Sequence, residues 1–157
     1  MHQVGPGSLC MSGRQIARKG HRFNTVKVCV SFDFTQIGTV LQRDGKLRFP
    51  IAPEEPGIYQ FTIRDKIYVG ETDRLRRRFQ HYRTPGPSQQ TNIRMNHSIL
   101  TALNEGFEIV VSTIEQATIN VDGINSSLDL SRKSGRLLVE SAVLSAAHLR
   151  GQLVENL

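Results

Sequence analysis

Two tyrosines, a cluster of arginines and one isolated glutamate are the residues of this chain whose types and spacing suggest chemistry. Tyr59 closes the tripeptide GIY (Gly57–Tyr59), and Tyr68 opens the tripeptide YVG (Tyr68–Gly70). Five arginines then fall within ten residues: Arg74, Arg76, Arg77, Arg78 and Arg83. Such a run is either a solvated basic helix or a grip on phosphate, which the planar guanidinium fork suits. Glu140 is the only acid in Leu137–Leu149, a stretch otherwise apolar except for Ser141, Ser145 and His148. An unpaired buried carboxylate is strongly disfavoured, so Glu140 must reach solvent, pair with a cation or bind a metal. One carboxylate is enough for Mg2+ when waters and substrate phosphate oxygens complete the shell.

These residues must be positioned by local structure. Gly57–Ile63 and Lys66–Gly70 read as strands around a tight turn at Arg64–Lys66. In an antiparallel hairpin with a two-residue loop, Tyr59 and Tyr68 project to the same face; a three-residue loop would separate them. Leu75, Phe79 and Tyr82 recur at helical spacing and predict the buried stripe of a helix from Arg74 to about Tyr82, with Thr72 or Asp73 as its N-cap. On that helix Arg76 and Arg77 point away from the stripe. Arg78 lies at its edge, against the sheet, with its head emerging beside the tyrosine hairpin. The plainer alternative for Arg78 is a stem that covers core while its head reaches water. Arg74, Arg76, Arg77 and Arg83 are expected as sequence-independent phosphate contacts or as solvated charge. His81 adjoins the cluster and is placed to face the same polyanion, whereas His97 and His148 read as structural or exposed.

The remaining elements follow from pattern. Residues 1–24 read as a mobile basic arm with a short helix near Arg14–Arg18. Thr25–Phe32 reads as a strand, and Asp44-Gly45 between two short runs as a hairpin turn. Ala52–Gly57 is a Pro-rich connector. It divides the chain into a basic, β-rich N-terminal extension (1–55) and a main unit (56–157). Thr84–Asn92 is expected as a polar loop. Ile93–Gly106 is expected as an amphipathic helix with Ile99, Leu100 and Leu103 inward. Phe107–Ile114 reads as a strand, Val121–Lys133 as turn and loop, and Ser134–Leu149 as a helix apolar nearly all round. The order β-β-α-α-β-α predicts a small α/β or α+β unit around a short mixed sheet.

Composition narrows the function classes. The chain has 157 residues and a net charge of +6, and its charge is clustered. Residues 1–32 contain five arginines and lysines and no acid, and residues 74–104 contain six arginines and no acid. Clustered basic charge argues for a polyanionic partner. Two cysteines, Cys10 and Cys29, are too few for a disulfide framework or a Cys-rich zinc site and read as ordinary intracellular thiols. No apolar run reaches membrane-spanning length, and the first twenty residues lack the apolar core of a signal peptide, so cytoplasm is the default. There is no nucleophile elbow and no Gly-rich nucleotide loop.

Together, GIY, YVG, Arg78 ten residues after Tyr68, Tyr82 one helical turn later, and Glu140 in LLVESAVL resemble the GIY-YIG nuclease superfamily. The resemblance covers Pro56 to the C-terminus. The PGPSQQTNIRMN segment is similar to a loop of a bacterial, largely uncharacterised branch. The resemblance implies a GIY-YIG-like fold, hydrolysis of DNA phosphodiesters, and one divalent metal, Mg2+ or Mn2+, on Glu140. It implies Arg78 as the group neutralising the scissile phosphate and Tyr59 as general base for the attacking water. Tyr68 and Tyr82 would then position water and phosphate. Three departures stand out. Glu71 occupies a position that is Lys in the nucleotide-excision-repair members. The Arg78-to-Glu140 interval is longer than theirs. Gln152, with Asn156 four further on, stands where many members carry Asn.

DNA recognition is expected from the extension, from the Thr84–Asn96 segment, or from a second copy. In that segment Gln89, Gln90, Asn92, Arg94 and Asn96 are side chains able to read base edges. A palindrome-cutting enzyme would require a homodimer. Two other readings stay open: a non-catalytic DNA-binding module on a nuclease scaffold, and a structural domain with an incidental basic face. The intact Tyr59, Tyr68, Arg78 and Glu140 weigh against the first, and the two acid-free windows against the second.

Overall fold

The computed structural model describes residues 7–13 and 25–155. Its centre is a mixed five-stranded sheet. The strands are β3 (Thr35–Thr39), β6 (Gly57–Ile63), β7 (Lys66–Thr72), β8 (Ile109–Ile114) and β11 (Leu153–Val154), in the order β11-β7-β6-β8-β3. Only β11 runs parallel to its neighbour; the other pairings are antiparallel. Helices α1 (Leu75–Arg83) and α2 (Gln90–Asn104) cover one face, and α3 (Lys133–Leu149) covers the other. The expected mixed α+β fold with a small mixed sheet flanked by helices is the observed one.

The sheet is two-sided because β6 and β7 are apolar on both faces, as a strand buried between two layers must be. Tyr59, Phe61, Ile63 and Tyr68 pack with Leu75, Phe79, Tyr82, Met95 and Ile99 on the α1–α2 side. Ile58, Ile67, Val69 and Ile114 pack with Val139, Ala142, Val143 and Ala146 on the α3 side.

A second, antiparallel sheet has the order β1-β2-β9-β10, built from β1 (Gly7–Gly13), β2 (Val26–Phe32), β9 (Ala117–Val121) and β10 (Ile124–Ser127). Its Val30, Phe32 and Ala117 join the α3-side core. β4 (Leu41–Arg43) and β5 (Lys46–Arg48) form the expected hairpin, with Asp44 and Gly45 at φ 52° and 70°.

Several expectations are corrected. Residues 7–13 form β1 rather than part of a basic arm; the short helix expected near Arg14–Arg18 lies outside the described residues, as does Asn156. Val121–Lys133 is mostly turn and loop as expected, but it also holds β10: Asp122 and Gly123, at φ 50° and 92°, turn β9 into it. Cys10 and Cys29 are not free thiols but a disulfide. β1 and β2 place them directly opposite, with Cα atoms 3.9 Å apart. The cysteines therefore give no argument for a cytoplasmic location. Among the described residues no helix is long and apolar enough to cross a membrane.

The connector at Ala52–Gly57 separates extension and main unit in sequence but not in space. β3 hydrogen-bonds to β8, and β2 to β9. The connector also caps α1. Glu55 O accepts from Leu75 N at 3.1 Å, and Pro53 O from Arg76 N at 3.1 Å. The N-cap is accordingly Arg74, without a side-chain cap bond, rather than Thr72 or Asp73. α2 starts at Gln90, so Gln90–Asn92 is helical rather than loop. Pro85 and Pro87 restrict only the residues beside them. Gln89 Oε1 then closes the turn, accepting from Gly86 N at 3.1 Å and from Asn92 Nδ2 at 2.8 Å.

Candidate active site

The β6–β7 hairpin sets the tyrosines. Ile63 pairs with Lys66 across a two-residue turn, Tyr59 with Gly70 and Phe61 with Tyr68. Tyr59 and Tyr68 therefore share the α1 face, as the odd pairing sum requires. The stripe Leu75, Phe79 and Tyr82 is buried as expected and brings Tyr82 over them. Tyr59 Oη and Tyr82 Oη are 2.6 Å apart, and Tyr82 Oη lies 3.4 Å from Tyr68 Oη. Arg78 is half-buried at the stripe's edge. Its Nε donates to Tyr59 Oη at 3.1 Å, and its guanidinium lies 5.0 Å from the centre of the Tyr82 ring. Three hydroxyls and one guanidinium from two strands and a helix thus form one connected group.

Burial dominates the electrostatics of this group. Tyr59 and Tyr82 are 0% exposed and Tyr68 9%. Burial pushes the Tyr59 hydroxyl well above the ordinary tyrosine range; Tyr68 adds to this, and Arg78 and Tyr82 oppose it without reversing it. Tyr82 is raised too, by burial first and then by Tyr59. Burial works against the Arg78 charge, but Tyr59 and Tyr82 more than offset it, so Arg78 stays protonated. Arg78 is thus a charged group donating to the neutral Tyr59 phenol beside neutral Tyr82.

Glu140 sits on the other side of the sheet, half-buried on α3. Its carboxyl is raised above the usual glutamate value by burial and then by the Glu71 carboxylate; the Glu71 backbone N–H and Arg78 pull it down. β7 has an open edge beside it: β11 pairs only with Lys66 and Ile67, and no strand lies beyond Tyr68–Thr72 among the described residues.

The residues expected to meet DNA divide into two sets. Arg74, Arg83, Arg94 and Gln90 are exposed, and His81 is half-buried. Arg76 and Arg77 are exposed but engaged, Arg76 with Ala52 O and Glu54 at 2.9 Å each, Arg77 with Asp73 at 2.7 Å. Asn92 is 6% exposed and donates to Gln89, so its amide faces inward. Asn96 Nδ2 donates to Tyr82 O at 2.7 Å, capping the helix that carries Arg78. Part of the polar Thr84–Asn96 segment is therefore framework.

One residue escaped the sequence reading. Arg136, 6% exposed, lies in the helix described as apolar nearly all round. Its Nε donates to Glu71 Oε2 at 2.5 Å. An arginine four residues before a glutamate on an apolar helix was the available signal.

No family model matches the chain, and no curated protein sequence matches it. A solved structure does: a glutamate-to-alanine mutant of bacteriophage T4 EndoII superposes with a TM-score of 0.50 at 20% sequence identity, over 76% of this chain and 89% of the EndoII chain. The protein shares its fold with that molecule, a mixed α+β arrangement consistent with a GIY-YIG nuclease-like architecture.

Proposed function

We propose that the protein is a metal-dependent DNA endonuclease of the GIY-YIG type. The observation that carries this reading is the Tyr59–Tyr82–Tyr68 hydroxyl chain with Arg78 donating into it. The fold shared with T4 EndoII, an endonuclease by name, supports it.

Glu140 is the residue that would hold Mg2+ or Mn2+. No group of three or more His, Cys, Asp or Glu side chains able to hold a metal occurs among the described residues. The donor chemistry nevertheless fits one such ion. Glu140 is a half-buried carboxylate with no ion pair among the described residues, and burial and Glu71 both oppose its charge. Held by Glu140, the cation would supply positive charge to offset the charge developing on the phosphate.

Arg78 supports the charge that develops on the scissile phosphate. Tyr59 takes the proton of the attacking water. Because Tyr59 is a neutral phenol here, it must give its own proton to Tyr82 at 2.6 Å, Tyr82 in turn gives one to Tyr68, and Tyr68, at 9% exposure, releases one to solvent water. Arg74, Arg83 and Arg94 hold the flanking backbone by charge.

The non-catalytic DNA-binding reading draws on one observation, the complete burial of Tyr59 and Tyr82. Arg78→Ala separates the two. The nuclease reading expects cleavage to fall by about 100-fold or more, as for loss of a transition-state charge donor, with DNA still retained in a gel shift. Cleavage at the wild-type rate would reject the role of Arg78.

A further inference from the structure

Arg136 is a buried charge that the nuclease reading leaves without a role. Its side chain is 7% exposed. Besides the Glu71 contact, Nη1 donates to Leu130 O at 3.0 Å and to Ser131 O at 2.9 Å. Glu140 follows it by one helical turn on α3. Side chains at i and i+4 on a helix are neighbours, and opposite charges at that spacing ordinarily attract. Here they stay apart, and Glu140 forms no ion pair among the described residues. The reason is Glu71. It alternates with Tyr68 and Gly70 along β7, so it shares with Ile67 and Val69 the face that α3 covers. From there its carboxylate accepts from Arg136 Nε at 2.5 Å.

We propose that Glu71 is a positioning residue that holds Arg136 off Glu140 and so keeps the Glu140 carboxylate open to a divalent cation. The cation rests on the nuclease reading; the placement of Arg136 does not. The inference also accounts for an acid directly after YVG, next to a carboxylate whose ionisation it opposes. The repulsion is tolerated because Glu71 is itself neutralised by Arg136. Removing Glu71 alone would leave Arg136 free to turn to Glu140, its i+4 neighbour on α3.

The test is Mn2+ binding by calorimetry, without DNA, for the wild type, Glu71→Gln and Glu71→Gln/Arg136→Gln, with a crystal structure of Glu71→Gln. Mn2+ affinity should fall about tenfold or more in Glu71→Gln, the size of effect seen for partners that orient metal ligands. It should return to near the wild-type value in the double variant, and the crystal should show Arg136 on Glu140. Unchanged affinity in Glu71→Gln, or a double variant as weak as the single one, would overturn the inference. If Glu71→Gln fails to fold, the double variant decides: it removes both members of the buried ion pair together, and loss of Mn2+ binding in it overturns the inference. A wild type that neither binds Mn2+ nor cuts DNA defeats the nuclease reading instead. The position of Arg136 in the Glu71→Gln crystal then decides whether Glu71 holds it.

Discussion

Tyr59 and Gly70 lie directly opposite each other on β6 and β7, and the Tyr59 ring folds over the bare backbone of Gly70. A Cβ at Gly70 would sit 2.5 Å from Tyr59 Cζ. The glycine of YVG is thus a space requirement set by the tyrosine of GIY. Gly70→Ala must push the Tyr59 hydroxyl off Tyr82 and Arg78. Overpacking of this kind costs about 1–3 kcal/mol, to be read by urea unfolding. Cleavage should be lost even where the variant remains folded.

Tyr59→Phe and Tyr82→Phe should both slow turnover, the first by removing the base and the second by breaking its proton route. Without the Tyr59 hydroxyl the water loses its proton acceptor, and turnover should fall by about 100- to 10,000-fold, the range for a general base. DNA affinity should stay near the wild-type value, since the hydroxyl is buried. Tyr82→Phe leaves the Tyr59 hydroxyl short of a partner inside the core, at a cost of about 1–3 kcal/mol. Steady-state kinetics and thermal melts on the two variants check this. Equal turnover in Tyr59→Phe and the wild type would remove Tyr59 as the base.

Glu140 carries a pH signature with a definite sign. Its folded value lies above the ordinary glutamate value, because of burial and then Glu71. As pH falls between the two values, the folded protein takes up a proton that the unfolded chain does not. Ionised Glu140 is therefore a destabilising group at neutral pH, relieved in mild acid. Glu140→Gln should melt at a higher temperature than the metal-free wild type at pH 7, with the gap narrowing towards pH 4. A lower melting temperature at pH 7 would contradict the assignment.

What the sequence made legible was local. The odd register of the tyrosine hairpin, the stripe of α1 and the edge position of Arg78 follow from strand and helix periodicity within some thirty residues. The second sheet was not legible, because β1, β2, β9 and β10 come from opposite ends of the chain. Asp122-Gly123 carries the same turn signal as Asp44-Gly45 but sits in polar surroundings, where hydrophobic alternation is weak. The Cys10–Cys29 bridge depended on recognising β1. The Glu71–Arg136 pair joins residues 65 apart in sequence, and the local rule pointed instead to Arg136 with Glu140.

The most direct test of the central claim is plasmid cleavage by the wild type and Glu140→Ala in Mg2+, Mn2+ or EDTA. The account predicts that the wild type cuts with either metal and not in EDTA, and that Glu140→Ala binds DNA but does not cut. A wild type that binds DNA, releases it in salt and cuts neither plasmid nor branched or damaged substrates with any metal would contradict it.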